Sequence, residues 1–61
     1  MYKELQVVKA KKSLSPRILE GCLGTIVYVY SDNSYEVEFV DSEGDTLGVI
    51  YAEEKDIIPL S

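Results

Sequence analysis

With 61 residues, one cysteine and no histidine, the chain has room for one small core and lacks the residues for a disulfide framework or a zinc site. The formal net charge of −5 disfavours approach to a phosphate backbone, which needs Lys and Arg to release counterions, and favours a basic partner. Without histidine the stock of general acids, bases and nucleophiles is thin, so a non-catalytic role is expected, with no cofactor and no metal.

Taken in order, the chain shows period-two hydrophobic alternation punctuated by turn residues, and nowhere a sustained helical period. This predicts an all-β fold, one domain over residues 1–61, with five strands. The first runs from Leu5 to Lys9 and leads into a polar loop through Lys11, Lys12, Ser13, Leu14, Ser15 and Pro16, with Leu14, Ile18 and Leu19 anchoring the loop to the core. The second strand, Gly24 to Tyr30, is rich in β-branched and aromatic residues, and Ser31-Asp32-Asn33-Ser34 turns it into a third, Tyr35 to Val40. In that third strand Tyr35, Val37 and Phe39 alternate with Glu36 and Glu38, so the apolar set faces inward and the carboxylates face water.

A turn through Asp41-Ser42-Glu43-Gly44-Asp45 precedes the fourth strand, Thr46 to Tyr51, and Gly44 suits a position of positive φ. The segment Ala52 to Asp56 is too short for a stable helix and predicts one 3-10 turn before a final strand, Ile57 to Leu60, which Pro59 assigns to a sheet edge. A strand, a long loop, a three-stranded meander, a short turn and a closing strand is the order of a five-stranded SH3-like barrel. No apolar stretch has the length of a signal peptide or a membrane span, and unpaired Cys22 fits a reducing compartment, so a cytoplasmic location off the membrane is expected.

The run G-C-L-G-T-I-V-Y-V-Y at residues 21–30, with two glycines three apart before an apolar strand, resembles the KOW-type SH3-like barrels. Together with Y-E-V-E-F-V-D-S-E-G-D-T and the closing D-I-I-P-L it is similar to a family of short bacterial and cyanobacterial proteins known as a domain of unknown function, over residues 5–60. That resemblance implies a fold more than a task. Similar barrels dock proteins, contact RNA or serve as accessory subunits of redox complexes. The resemblance further implies an immunity or antitoxin role, since genes of this kind often lie beside short toxin-like genes.

Charge divides the chain: residues 1–17 carry about +4 and the remainder about −9. Two candidate surfaces follow. The first is acidic and aromatic: Glu36 and Glu38 leave one face of the third strand, Asp32, Asp41, Glu43 and Asp45 flank it, and Tyr28 and Tyr30 lie on the same face if Val27 and Val29 point into the core. With Tyr51 these tyrosines form a patch suited to a protein interface, and the carboxylates add selectivity for a basic partner. Cross-strand packing and solubility are the plainer explanations of the same residues.

The second surface is basic: Lys9, Lys11, Lys12 and Arg17, in or beside the first loop, would contact RNA, or else form a solvated loop. Nucleic acid is the less favoured partner, given the carboxylates that oppose these four. Asp41, Glu43 and Asp45 alternate as in a calcium loop but lack the glycine placement and distal glutamate of an EF-hand, and read as a solvated turn. Cys22 reads as structural, having no neighbouring cation to lower its pKa. The leading expectation is a protein-binding module that docks on, and neutralises, a basic partner. An RNA contact and a redox accessory subunit are the alternatives. Marginal stability and an exposed aromatic strand also suit a homodimer.

Overall fold

A computed structural model describes residues 1–60. Five strands, β1 (Val7–Ala10), β2 (Leu23–Ser31), β3 (Ser34–Val40), β4 (Thr46–Glu53) and β5 (Ile57–Pro59), form one antiparallel sheet in the order β4-β3-β2-β1-β5, with a single 3-10 turn at Glu54–Asp56. Number, order and the turn before the last strand agree with the sequence reading. The sheet curls but does not close, so β4 and β5 remain its two edges. Pro59 does lie on an edge strand, where its missing N–H costs no ladder bond.

Curling follows from the core. Val8 and Ala10 of β1, Ile26 of β2, Tyr35, Val37 and Phe39 of β3, Ala52 of β4 and Ile57 of β5 all belong to one buried cluster, completed by Ile18 from the β1–β2 loop. A flat sheet cannot bring its two edges into one cluster. The extents of 28 × 21 × 19 Å are those of a wrapped layer, and the accessible surface of 3939 Å² equals, to within rounding, the ~3,950 Å² expected of a folded monomer of this mass.

The two glycines of the 21–24 motif have different jobs. Gly21 sits at φ +88°, as does Gly44 in the β3–β4 turn. Both turns need the left-handed region. Gly24 is needed for space: a Cβ built there would lie 2.7 Å from Val37 Cγ1 and 2.8 Å from Phe39 Cδ1, inside the core. Leu5 is the one non-glycine residue with positive φ among those described, at 71°, and its N–H donates to the Ile26 carbonyl at 2.7 Å.

Strand β3 keeps strict alternation, with Tyr35, Val37 and Phe39 fully buried. The Tyr35 hydroxyl, at the bottom of the cluster, donates to the Asp32 carbonyl at 2.6 Å and accepts from the Tyr2 backbone N–H at 3.0 Å, while the Tyr2 ring packs edge-on at 5.5 Å. A buried phenol with both roles filled carries no desolvation penalty. The β1–β2 loop is also ordered by its own bonds, Leu14 and Ser15 N–H to the Ile18 carbonyl and Ile18 N–H to the Ser15 carbonyl. Ile18 and Leu14 anchor it as expected. Leu19 does not: it is 58% exposed, because the Ser15–Ile18 turn directs only Ile18 downward.

One sequence-derived orientation changes. Val27, expected to point inward, is 38% exposed, because β2 carries a bulge between Ile26 and Tyr28. Ile26 opposes Val37 and Tyr28 already opposes Glu36, so one residue is skipped. Val29, beyond the bulge, does pack against the core. Strand boundaries shift by one or two residues, chiefly β1, which starts at Val7, and β4, which continues to Glu53.

Because the space at Gly24 is already filled by Val37 and Phe39, Gly24→Ala is expected to destabilise the fold by about 1–3 kcal/mol through overpacking. Denaturant unfolding followed by tyrosine fluorescence checks this; an unchanged midpoint would mean that the core gives way at no cost.

Candidate functional site

The bulge decides which side of the sheet the tyrosines occupy. Gly24 and Ile26 face the core, so uninterrupted alternation would turn Tyr28 and Tyr30 inward as well. The extra residue at Val27 flips the phase. Tyr28 and Tyr30 therefore leave the convex side, 52% and 53% exposed, and Tyr51 of β4 joins them at 55%.

On that side Glu36 is the cross-strand neighbour of both Tyr28 on β2 and Tyr51 on β4. Tyr30 leans over it: its ring lies 4.9 Å from Tyr28, edge-on at 68°, and 5.9 Å from Tyr51, tilted by 42°, and its hydroxyl donates to Glu36 Oε2 at 2.5 Å. Three phenols thus surround one carboxylate. One row further along, Glu38 lies between Thr25 and Val49, and Thr46 Oγ1 donates to its Oε2 at 2.5 Å. The Tyr51 hydroxyl reaches Glu53 Oε2 at 3.4 Å.

Tyr28, Tyr30, Glu36, Glu38 and Tyr51, picked out from the sequence, are therefore brought to one face. Glu36 and Glu38 are half-buried beneath hydroxyl donors rather than free in water, a correction to the simple alternation reading. Thr46, Val49 and Glu53 complete the surface and were not foreseen. Only the β3–β4 register, set by the connecting turn and an irregularity at Phe39–Val40, places them beside Glu36 and Glu38.

The bond to the Glu36 carboxylate raises the Tyr30 hydroxyl above the ordinary tyrosine value, with lesser contributions from partial desolvation and the charge on Glu36. No group of three or more side chains placed to hold a metal ion occurs among the described residues. In the β3–β4 turn Asp41 Oδ1 instead accepts the N–H groups of Glu43 and Asp45, each at 2.9 Å, so this carboxylate serves the turn.

The four cations of the first loop are arranged differently. Lys9 leaves β1 on the convex side between Leu23 and Ile58, Lys11 and Arg17 are exposed, and Lys12 Nζ is 3.4 Å from Asp56 Oδ1. Cys22 lines a shallow, mainly apolar hollow with Gly21, Leu23, Val40, Asp41 and Ser42. Its thiol donates to the Val40 carbonyl at 3.2 Å, and burial, then the negative charge of Asp41, raises its pKa, against a smaller opposite effect of the Val40 bond. A thiol held protonated in this way is a poor nucleophile.

Fold and face together define a small all-β domain with an open, curled five-stranded sheet and a convex tyrosine–carboxylate surface. Residues 5–59 match the family described as Domain of unknown function (DUF4926), and the chain belongs to that family. No curated protein and no solved structure matches the chain. Among the described residues no helix is long and apolar enough to cross a membrane.

Replacing Glu36 by Gln removes the anion that holds the Tyr30 proton, so the Tyr30 pKa is expected to fall toward the ordinary value of about 10. Since the folded-state value is the raised one, the stability contributed by this bond is fully present below the unfolded-state pKa and disappears as pH rises through the folded-state value. Ring-carbon NMR titration of wild type and Glu36→Gln checks this; coincident curves would show that the bond does not persist in solution.

Proposed function

We propose that this domain is a non-catalytic protein-binding module whose convex face receives a cationic side chain of a basic partner. The observation that carries the reading is the enclosure of one carboxylate, Glu36, by the three exposed rings of Tyr28, Tyr30 and Tyr51. Exposed aromatic area of this kind is an unusual use of surface for a chain this small. Tyrosine rings attract cations through their faces, the carboxylate supplies a charge-assisted hydrogen bond, and a planar guanidinium satisfies both together.

The acidic groups around the face extend the attraction. Asp32, Glu53 and Glu38 lie in or beside the same three strands, and the charge of residues 18–61 favours encounter with a positive surface. Docking there would cover the partner's basic surface. That is the physical content of a neutralising, antitoxin-like role. The strand order, the long first loop and the 3-10 turn before β5 support a place among SH3-like barrels of KOW type.

The test is an NMR titration of the domain with a short Arg-Gly peptide and with a Glu-Gly peptide of equal length. Shifts at Tyr28, Tyr30, Glu36 and Tyr51 are expected with the first peptide alone. Tyr30→Ala and Glu36→Gln are expected to weaken binding about tenfold each, the equivalent of ~1.4 kcal/mol, and Lys11→Ala/Lys12→Ala to leave it unchanged. Binding of single-stranded RNA with a steep salt dependence, abolished by the lysine substitutions, would replace this reading with the RNA-contacting one.

A further inference from the structure

The two edges of the sheet are built unequally. Strand β5 has three residues and ends on Pro59, two of the devices by which natural sheets block edge-to-edge pairing. Strand β4 has eight residues, Thr46-Leu47-Gly48-Val49-Ile50-Tyr51-Ala52-Glu53, with no proline and no lysine, and its only charge is at the last position. Its ladder runs to β3 alone. Just beyond the strand, the Glu54 N–H bonds the Asn33 carbonyl at 2.9 Å, so even-numbered residues turn their backbone groups toward β3. The N–H and C=O groups of Val49 and Tyr51 then point off the edge, and among the described residues no backbone bond outside the strand ladders takes them up. Their side chains are also exposed, at 53% and 55%.

We infer that β4 is a homodimerisation edge, on which the β4 strand of a second copy pairs antiparallel about a two-fold axis at Ile50. In that register Val49 of one copy faces Tyr51 of the other, twice, as mutually hydrogen-bonded pairs that use all four free groups of each copy. Each pair is also an aromatic to β-branched cross-strand contact that covers two exposed apolar side chains. Ile50, half-buried at the margin of the core, meets its symmetry mate on the concave side. Glu53 falls opposite Leu47, so no carboxylate opposes another although each copy carries −5.

Self-complementarity selects a second copy over a foreign partner. A basic protein attracted to carboxylates finds none from Thr46 to Ala52, whereas the strand's own apolar sequence pairs with itself about Ile50 without setting one carboxylate against another. The inference meets the cation-binding reading only at Tyr51, whose side chain Val49 of the second copy covers, while Tyr28, Tyr30 and Glu36 stay uncovered. An interface of one strand pair is small, so the dimer is expected to dissociate in the micromolar range or above.

Sedimentation equilibrium and amide hydrogen exchange of the full chain over a wide concentration range provide the test. Mass is expected to rise from monomer to dimer. Protection of the Val49 and Tyr51 amides is expected to rise with concentration, while that of Gly48 and Ile50, bonded to β3, stays high throughout. Val49→Lys/Tyr51→Lys and Val49→Glu/Tyr51→Glu should each be folded monomers by their amide spectra, and mixing them should restore a heterodimer. A chain that stays monomeric at millimolar concentration overturns the inference. So does concentration-independent exchange at Val49 and Tyr51, or a Lys/Lys variant that still dimerises. A foreign strand bound at this edge with no self-association also overturns it.

Discussion

Everything in this fold hangs on the alternation of β3. It is an inner strand, hydrogen-bonded on both sides, and its inward set, Tyr35, Val37 and Phe39, forms the floor over which the sheet curls. With so few residues, a second layer is not available. The sheet must wrap around its own side chains, and the wrap tightens where Gly24 lets β2 approach Val37 and Phe39. The same alternation sends Glu36 and Glu38 to the convex side, so the core and the acidic face are set by one pattern.

That coupling explains what the sequence makes legible. Strong alternation at residues 35–39, the turn residues around Asn33 and Gly44, and Pro59 near the end each state one local preference, and they agree on five strands and their order. The run Ile26-Val27-Tyr28-Val29-Tyr30 is different, since both of its phases are apolar. Either the odd or the even residues fit a core. The expected outward tyrosines are correct, but the supporting premise that both valines point inward is not: the bulge at Val27 lets Ile26 and Val29, of opposite phase, share the core. A bulge costs little to form and has no composition signature here, so only its consequences in three dimensions reveal it.

The site was legible as a list of residues more than as an arrangement. Tyr28, Tyr30 and Tyr51 stand out as aromatic residues without an assigned place in the core. That Tyr30 packs on Tyr28 of its own strand, reaches over β3 to Tyr51, and caps Glu36, depends on strand register and twist. Leu19 shows the converse failure: an apolar residue in an anchoring loop is left exposed because the Ser15–Ile18 turn offers one inward position, and Ile18 takes it.

The Tyr30–Glu36 bond also bears on how the convex face would meet the proposed cationic side chain. A bare carboxylate beside exposed rings would be fully hydrated, and an arriving cation would have to strip that water. Here a phenol already occupies one oxygen of Glu36 and the flanking rings exclude part of the solvent, so some of the desolvation is complete before any encounter. One oxygen lone pair is consumed, but the carboxylate retains others, in a fixed orientation. Phenylalanine at position 30 would preserve the ring face and lose this anchoring, and so would separate the aromatic part of recognition from the positioning of the charge. On a domain whose core leaves no room for a cleft, orientation of a few surface groups by the sheet is the means by which selectivity can arise.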